Sequence, residues 1–284
     1  MFFMQSTFKF DSELTVNRLG YGTMQLPGKG VWGASNAPTN AAKVITTAID
    51  HGVNFIDTAD SYGPFYANLY LREALKQRPN ADVTVATKVG FTRQGPNVWT
   101  ALGDPAYLRQ EVELNLMTLG LDHIELLQLH RIDPNYSTEA QIGELARLKQ
   151  EGKIKRIGLS QVSAAQLEEA QQITPIASVQ NRYNLSDRTD EDVLNYADAH
   201  HIAFIPWFPL ATGGLTKGTT LQKIADVHHS SPAQIALAWL LKRSNVILPI
   251  PGTSNPNHVV QNIAAQDITL SETEFQILDQ LGKH

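Results

Sequence analysis

The amino-acid sequence predicts an α/β fold: a (β/α)8 barrel with an N-terminal β-hairpin and a C-terminal capping helix. Short β-branched apolar runs alternate with longer amphipathic segments, eight of each before the final helix. That alternation implies parallel strands joined by right-handed crossovers, and eight such units close into a barrel. An open doubly wound sheet shares the element count and stays open as the competing architecture. No internal repeat, low-complexity tract or linker interrupts the pattern, so residues 1–284 are expected to form one domain.

The hairpin is read in TFKFDSELTV, turning near Asp11 to Glu13. Strands are expected at 18–25, 53–57, 83–88, 124–130, 154–160, 177–181, 203–207 and 246–250. Helices are expected at 39–51, 67–77, 105–119, 138–151, 164–172, 190–200, 220–242 and 256–265, with SETEFQILDQL (271–281) as the capping helix. Pro105 after Asp104 and Pro232 after Ser231 suit first helical turns, and Gly120 and Gly152 stand where helices should stop.

The bulk numbers bound the partners. With 284 residues, 42% hydrophobic and 18% charged, the composition is that of a soluble globular enzyme. A net charge of −5 offers no attraction for nucleic acid or an anionic membrane. The opening MFFM is too short for a signal peptide's apolar stretch, and no run of about 18 apolar residues could span a bilayer, so a cytoplasmic location is expected. Zero cysteines exclude a disulfide scaffold, a thiolate zinc site and a thiol nucleophile.

Barrel chemistry gathers at the C-terminal ends of the strands. Asp57, Lys88 and His130 stand at three such ends, and Tyr62 lies just beyond the first. Ser160, Gln180 and Trp207 close three further strands. A Tyr beside a Lys–Asp pair and a His can give a proton to a carbonyl oxygen. Free phenol, with a pKa of about 10, is a weak acid at neutral pH, and a nearby ammonium is expected to lower that value. Asp57 would hold Lys88, and a neutral His130 would donate to the carbonyl oxygen. Singly, each residue has a plainer reading as a cap, loop or solvated rim residue. Their joint occurrence at successive strand ends points to carbonyl reduction.

The stretches D-T-A-D-S-Y-G (57–63), T-K (87–88) and L-H (129–130) resemble the catalytic tetrad of the aldo-keto reductases. Further matches run along the chain: R-L-G-Y-G-T-M (18–24), I-G-L-S (157–160), V-Q-N-R-Y-N (179–184), W-F-P-L (207–210) and I-P-G-T-S (250–254), with Asn262 beyond. Within the family, L-G-Y-G-T-M-Q-L, G-V-W-G and D-S-Y-G-P with L-R-E-A-L are most similar to a bacterial pyridoxal-reductase-type branch. The resemblance implies Tyr62 as general acid, His130 as substrate orienter, and Lys88 and Asp57 as supports. It implies NADPH as cofactor, with NADH possible, and a small-molecule carbonyl substrate. Thr23, Met24 and Asp57 would lie near the cofactor. Ser160, Gln161 and Gln180 would hold the nicotinamide carboxamide, with Trp207, Phe208 and Leu210 beside the ring. Gly252, Thr253, Ser254, His258 and Asn262 would reach the adenosine half. Three positions depart from the family pattern: Gln161 replaces the usual Asn, Trp207 the commoner Tyr, and His258 the usual Arg. The last leaves 254–258 without a Lys or Arg for a 2′-phosphate, so the margin over NADH is expected to be small.

Other signals are set aside. Gly28-Lys-Gly30-Val-Trp-Gly33 matches G-x-G-x-x-G, but no helix follows directly, so a flexible rim loop is the reading. G-L-S-Q-V (158–162) lacks the closing Gly of a nucleophile elbow. The adjacent pairs His200–His201 and His228–His229 point apart on a helix, and no H-E-x-x-H occurs, so no metal site is expected. Trp32, Phe65, Trp99 and Phe208 are expected to line or cover the substrate cavity. The short connection at about 210–220 implies an open, tolerant site. Two rivals remain: a nucleotide-sensing regulatory subunit of the same fold, and a barrel glycosidase, which would leave Tyr62 and Lys88 unexplained.

Overall fold

The computed structural model describes residues 5–210 and 220–282. The chain opens with the expected hairpin, in which β1 (Thr7–Lys9) pairs antiparallel with β2 (Thr15–Asn17). Phe8 and Val16, opposite each other in the ladder, are the buried members. The Asp11 carboxylate caps the turn by accepting from the Glu13 and Leu14 amides at 2.9 and 3.0 Å. Arg156 pairs with Asp11, His201 contacts the Lys9 carbonyl, and Asn17 bonds Asn54 and Gly52. These contacts seat the hairpin across the N-terminal end of the barrel.

The barrel begins with β3 (Tyr21–Gly22), α1 (Pro38–Asp50), β4 (Phe55–Asp57), α2 (Tyr66–Gln77) and β5 (Thr84–Val89). A second hairpin follows, β6 (Phe91–Gly95) with β7 (Val98–Ala101). Then come α3 (Pro105–Leu119), β8 (Ile124–Leu129), α4 (Thr138–Gln150), β9 (Ile154–Ser160), α5 (Ala164–Ile173), β10 (Ile176–Gln180), α6 (Glu191–Ala199) and β11 (Ala203–Phe204). After the segment that is not described come α7 (Thr220–Val227), α8 (Pro232–Arg243), α9 (Pro256–Ile263) with a 3-10 turn at Ala264–Asp267, and α10 (Glu272–Gln280).

The parallel sheet runs β11-β10-β9-β8-β5-β4-β3. It closes through residues 246–250. Phe204 donates to the Val246 carbonyl and accepts from the Leu248 amide, both at 2.8 Å, and the Gly20 amide donates to the Pro249 carbonyl at 2.9 Å. Sequence patterning over-reads this last strand: Pro249 and Pro251 have no N–H to give, so the closing segment forms a bridge at Ile247 rather than a full ladder. The first strand is likewise shorter than 18–25, with only Tyr21 and Gly22 in the ladder. A Cβ on Gly22 would stand 2.7 Å from the Ile250 carbonyl oxygen, so the closing segment approaches as it does only because Gly22 has none.

Helix starts follow their caps. Asp104 accepts from the Ala106 and Tyr107 amides, and Ser163, Ser231 and Ser271 form capping boxes with Gln166, Gln234 and Glu274. The Ser231 box with Pro232 at the first turn divides the expected 220–242 helix into α7 and α8. Gly120 ends α3 in the left-handed region at φ 71°. The connection expected to be short at 210–220 lies almost wholly outside the described residues.

The unforeseen element is the β6–β7 hairpin. Its turn, Gly95-Pro96-Asn97, carries the left-handed Asn97 at φ 57°, and its strands are only half-buried. It projects from the C-terminal end of β5, beside the rim where Lys88 stands.

Candidate active site

Parallel register sets the rim. Asp57 lies opposite Ala86, Lys88 opposite Gln128, and Ser160 opposite Gln180, so the polar ends of neighbouring strands come level. The Lys88 ammonium is fully buried and forms an ion pair with Asp57. It also donates to the Thr58 carbonyl at 2.8 Å and to the Tyr62 hydroxyl at 3.2 Å. The second Asp57 oxygen accepts from the side-chain amides of Gln128 at 3.0 Å and Gln180 at 2.9 Å. All three N–H groups of the Lys88 ammonium are thus taken, as a buried charge requires.

Tyr62 rides a tight loop between β4 and α2. Its amide bonds the Ala59 carbonyl, its carbonyl accepts from the Ala67 amide, and Phe65 at φ 62° turns the chain into the helix. Its ring stands edge-on to His130 at 6.0 Å and to Trp99 at 6.4 Å between centroids. The Ser61 hydroxyl meets His130 Nδ1 at 3.3 Å. A hydroxyl donating there leaves the proton of a neutral imidazole on Nε2.

Electrostatics assign the protonation states. Burial, then Lys88, Arg131 and Arg93, hold His130 well below its ordinary range, so it is a neutral donor at pH 7. For Tyr62, burial is the largest influence and raises the phenol above its ordinary value. Lys88 opposes it without overcoming it, so the expectation of a net lowering is corrected: the ammonium limits a rise. Burial pulls Lys88 down, yet Asp57 and Tyr62 together carry it above its usual value, so it stays charged.

A cavity of about 470 Å³ opens over these groups. Among the described residues, Asp57, Tyr62, His130, Ser160, Gln180, Met24, Trp99, Trp207, Phe208, Leu210 and Gly252 line it. Lys88 and Thr23 stand one layer behind, Thr23 bonded to the Thr58 hydroxyl at 2.9 Å. Gln161, at φ 53°, backs Trp207 by accepting from its indole N–H at 3.0 Å. Thr253 and Ser254 continue beyond Gly252 and His258 and Asn262 follow along α9, all outside the lining. Trp32 and Phe65 are also outside it. Trp32 faces the Arg93 guanidinium at 5.7 Å, and Phe65 is spent as the N-cap of α2.

Sequence reasoning passed over several residues here. Gln128, a polar residue inside the buried run IELLQL, carried a readable signal. Phe91 and Arg131 line the cavity. Arg93 gives all five N–H groups to backbone carbonyls: Val98, Val31, Ser61, Gly30 and Gly95, at 2.6 to 3.3 Å. Its guanidinium also stacks 3.5 Å from the Trp99 ring centroid. The glycine loop 28–33, expected to be flexible, is thereby pinned, and a Gly33 amide bond to the Gly63 carbonyl at 2.7 Å pins it again.

Residues 18–283 match the model of the Aldo/keto reductase family. The chain belongs to that family. It is 45% identical over 272 residues to an uncharacterised oxidoreductase of Schizosaccharomyces pombe, covering 95% of this chain and 88% of that protein. It is 41% identical over 277 residues to pyridoxine 4-dehydrogenase of Escherichia coli, covering 95% and 96% of the two chains. The crystal structure of an aldo-keto reductase from Klebsiella pneumoniae in complex with NADPH superposes with a TM-score of 0.84 at 26% identity, over 98% of this chain and 95% of that one. As an aldo/keto reductase, the protein is an oxidoreductase acting on carbonyl and CH–OH groups. No helix among the described residues is long and apolar enough to cross a membrane.

Proposed function

We propose that this aldo/keto reductase uses NADPH to reduce aldehydes or ketones to alcohols, with pyridoxal as a favoured substrate. The observation that carries the reading is the Tyr62 hydroxyl 3.2 Å from the Lys88 ammonium, in a cavity wall shared with the neutral His130.

A nicotinamide cofactor, when bound, would supply the hydride for the carbonyl carbon. The chain's own residues do the rest. His130 donates a hydrogen bond to the carbonyl oxygen, orienting it toward Tyr62 and favouring the charge that develops there. Tyr62 gives its proton to that oxygen. Lys88 stabilises the phenolate left behind, and Asp57 fixes Lys88 and balances its charge. Burial of Tyr62 keeps the phenol protonated at neutral pH until the oxygen needs the proton.

The donor set fits a nicotinamide. Trp207 offers a flat face. The Gln180 side-chain nitrogen is turned inward to Asp57, leaving its oxygen to accept from a carboxamide, and Ser160 brings a hydroxyl. The lining then leads to Gly252 and on toward Asn262, where the adenosine half would lie. His258, within 3.4 Å of the Thr253 hydroxyl, would be the group nearest a 2′-phosphate. NADPH is favoured through its presence in the Klebsiella pneumoniae relative, and pyridoxal through the activity named for the Escherichia coli relative.

The test is loss of absorbance at 340 nm with NADPH, then NADH, against pyridoxal and simple aldehydes. Turnover with NADPH and a preference for pyridoxal is the expected result. Tight NADPH binding without turnover of any carbonyl would overturn it in favour of a nucleotide-sensing role.

A further inference from the structure

Arg131 is a cation in the cavity wall that the scheme above does not use. It follows His130 directly, and its Nη1 donates to the His130 carbonyl at 2.6 Å and to the Ser160 hydroxyl at 3.1 Å. Its guanidinium lies 5.4 Å from the Phe91 ring centroid. The N–H groups of Nε and Nη2 have no protein partner among the described residues.

The charges around it leave it uncompensated. Asp57, the only acid among the described residues that line the cavity, is paired with Lys88. His130 is neutral, and no described carboxylate lies within ion-pair distance of Arg131. The rest of the lining is mainly aromatic and aliphatic. A half-buried guanidinium among mainly apolar neighbours attracts an anion brought to its open face more strongly than one in bulk water does. A carboxamide is uncharged and makes no such demand. The phosphates of a dinucleotide would lie toward Gly252 and α9, on the other side of the cavity. The reactant able to bring an anion to that face is therefore the second one.

We propose that Arg131 makes this site selective for carbonyl compounds that carry an anionic oxygen beside the reacting carbonyl. Two chemical types meet the description: 2-oxo carboxylates, and aromatic aldehydes with an ionised ortho hydroxyl. Pyridoxal is of the second type, since its protonated ring nitrogen makes the neighbouring 3-hydroxyl acidic. Arg131 grips the anionic oxygen with its free N–H groups while His130, the adjacent residue, takes the carbonyl oxygen. The inference rests on the reading of this cavity as a carbonyl-reducing site.

The test compares matched pairs with NADPH: glyoxylate against methylglyoxal, and pyridoxal against its 3-O-methyl ether. In the native enzyme, kcat/KM should favour the charged member of each pair. Arg131→Gln should lower the charged-to-neutral ratio at least tenfold, and Arg131→Lys should restore part of it. Turnover of both members with a ratio indifferent to residue 131 overturns the proposal alone. So does an Arg131→Gln variant in which both members lose equally while NADPH affinity falls. Failure of the native enzyme to reduce any of the four while it turns over other aldehydes overturns this proposal alone, and failure with every carbonyl tried overturns the reductase reading with it. A measurement free of variants is competitive inhibition of the native enzyme by benzoate and by benzamide. Benzoate should bind at least tenfold more tightly, and equal inhibition overturns the proposal.

Discussion

The tetrad wall and the aromatic rim of this cavity are held in different ways. Asp57, Lys88, Gln128 and Gln180 stand on or at the ends of strands, buried, and bonded to one another in a closed network. Trp99 and the 28–33 loop stand above the barrel, half-exposed, and meet at one guanidinium, Arg93, with Phe91 packed edge-on against Trp99. The chemistry is thus placed on side chains bonded to one another in the barrel, and the substrate's surroundings on loops held from outside it. Damage to the wall should abolish the reaction, whereas damage to the rim should change what is bound.

Tyr62→Phe tests the wall most severely. Without the phenol, turnover of an aldehyde should fall by about 10²–10⁴ while NADPH binding, followed by fluorescence titration, persists. A kcat near that of the native enzyme would remove Tyr62 from the role of acid. Lys88→Met should cost about 3–5 kcal/mol in urea unfolding, because it leaves the Asp57 carboxylate buried without its cation. The same change should move the basic limb of the pH profile upward, since the ammonium is what limits the rise of the Tyr62 phenol. An unmoved limb would deny Lys88 that influence.

On the rim, Arg93→Met should cost about 1–3 kcal/mol as backbone carbonyls of three segments lose their donor. It should raise KM for aldehydes more than it lowers kcat and alter the emission of Trp99 and Trp32. Equal losses in both constants would erase the distinction between wall and rim. Acid titration gives a smaller effect with a definite sign. His130 has a lowered pKa in the folded protein, so its stability contribution is complete above the unfolded value of about 6.5 and is lost as pH falls below it. From this group alone the loss is about 1.4 kcal/mol per pH unit, and a His130→Asn variant should show a flatter acid limb in urea unfolding. Smallest, Ser231→Ala should cost about 1 kcal/mol by removing the cap that separates α7 from α8.

The same division explains what was legible in the sequence. The tetrad could be read because each member is a polar residue ending or following an apolar run, and parallel register then brings such ends level. Capped helices could be read for a similarly local reason. Arg93 could not, because its partners are backbone carbonyls, which carry no residue identity and lie up to 63 positions away. Arg131 sits beside His130 in sequence, but nothing local says that its guanidinium lacks an acid. The β6–β7 hairpin was passed over because its half-exposed strands never form an apolar run, although Gly95-Pro96-Asn97 was a turn signal in plain view. The last strand was over-read for the opposite reason, an apolar run whose prolines cannot pair.

Those prolines give the barrel one loose stave. Between the first strand and the closing segment the described backbone ladder is one bond, from Gly20 to Pro249, backed by side-chain bonds from Arg18 to the Ile247 carbonyl and from Tyr21 to the Thr253 carbonyl, and Gly22, Ile250 and Gly252 at that joint also line the cavity. Momentary parting there would widen the mouth without disturbing Lys88 on the stave two places away, so the Gly20 amide should exchange with deuterium well before the amides of β8. The joint beside the cavity would then loosen before the acid and its supports do.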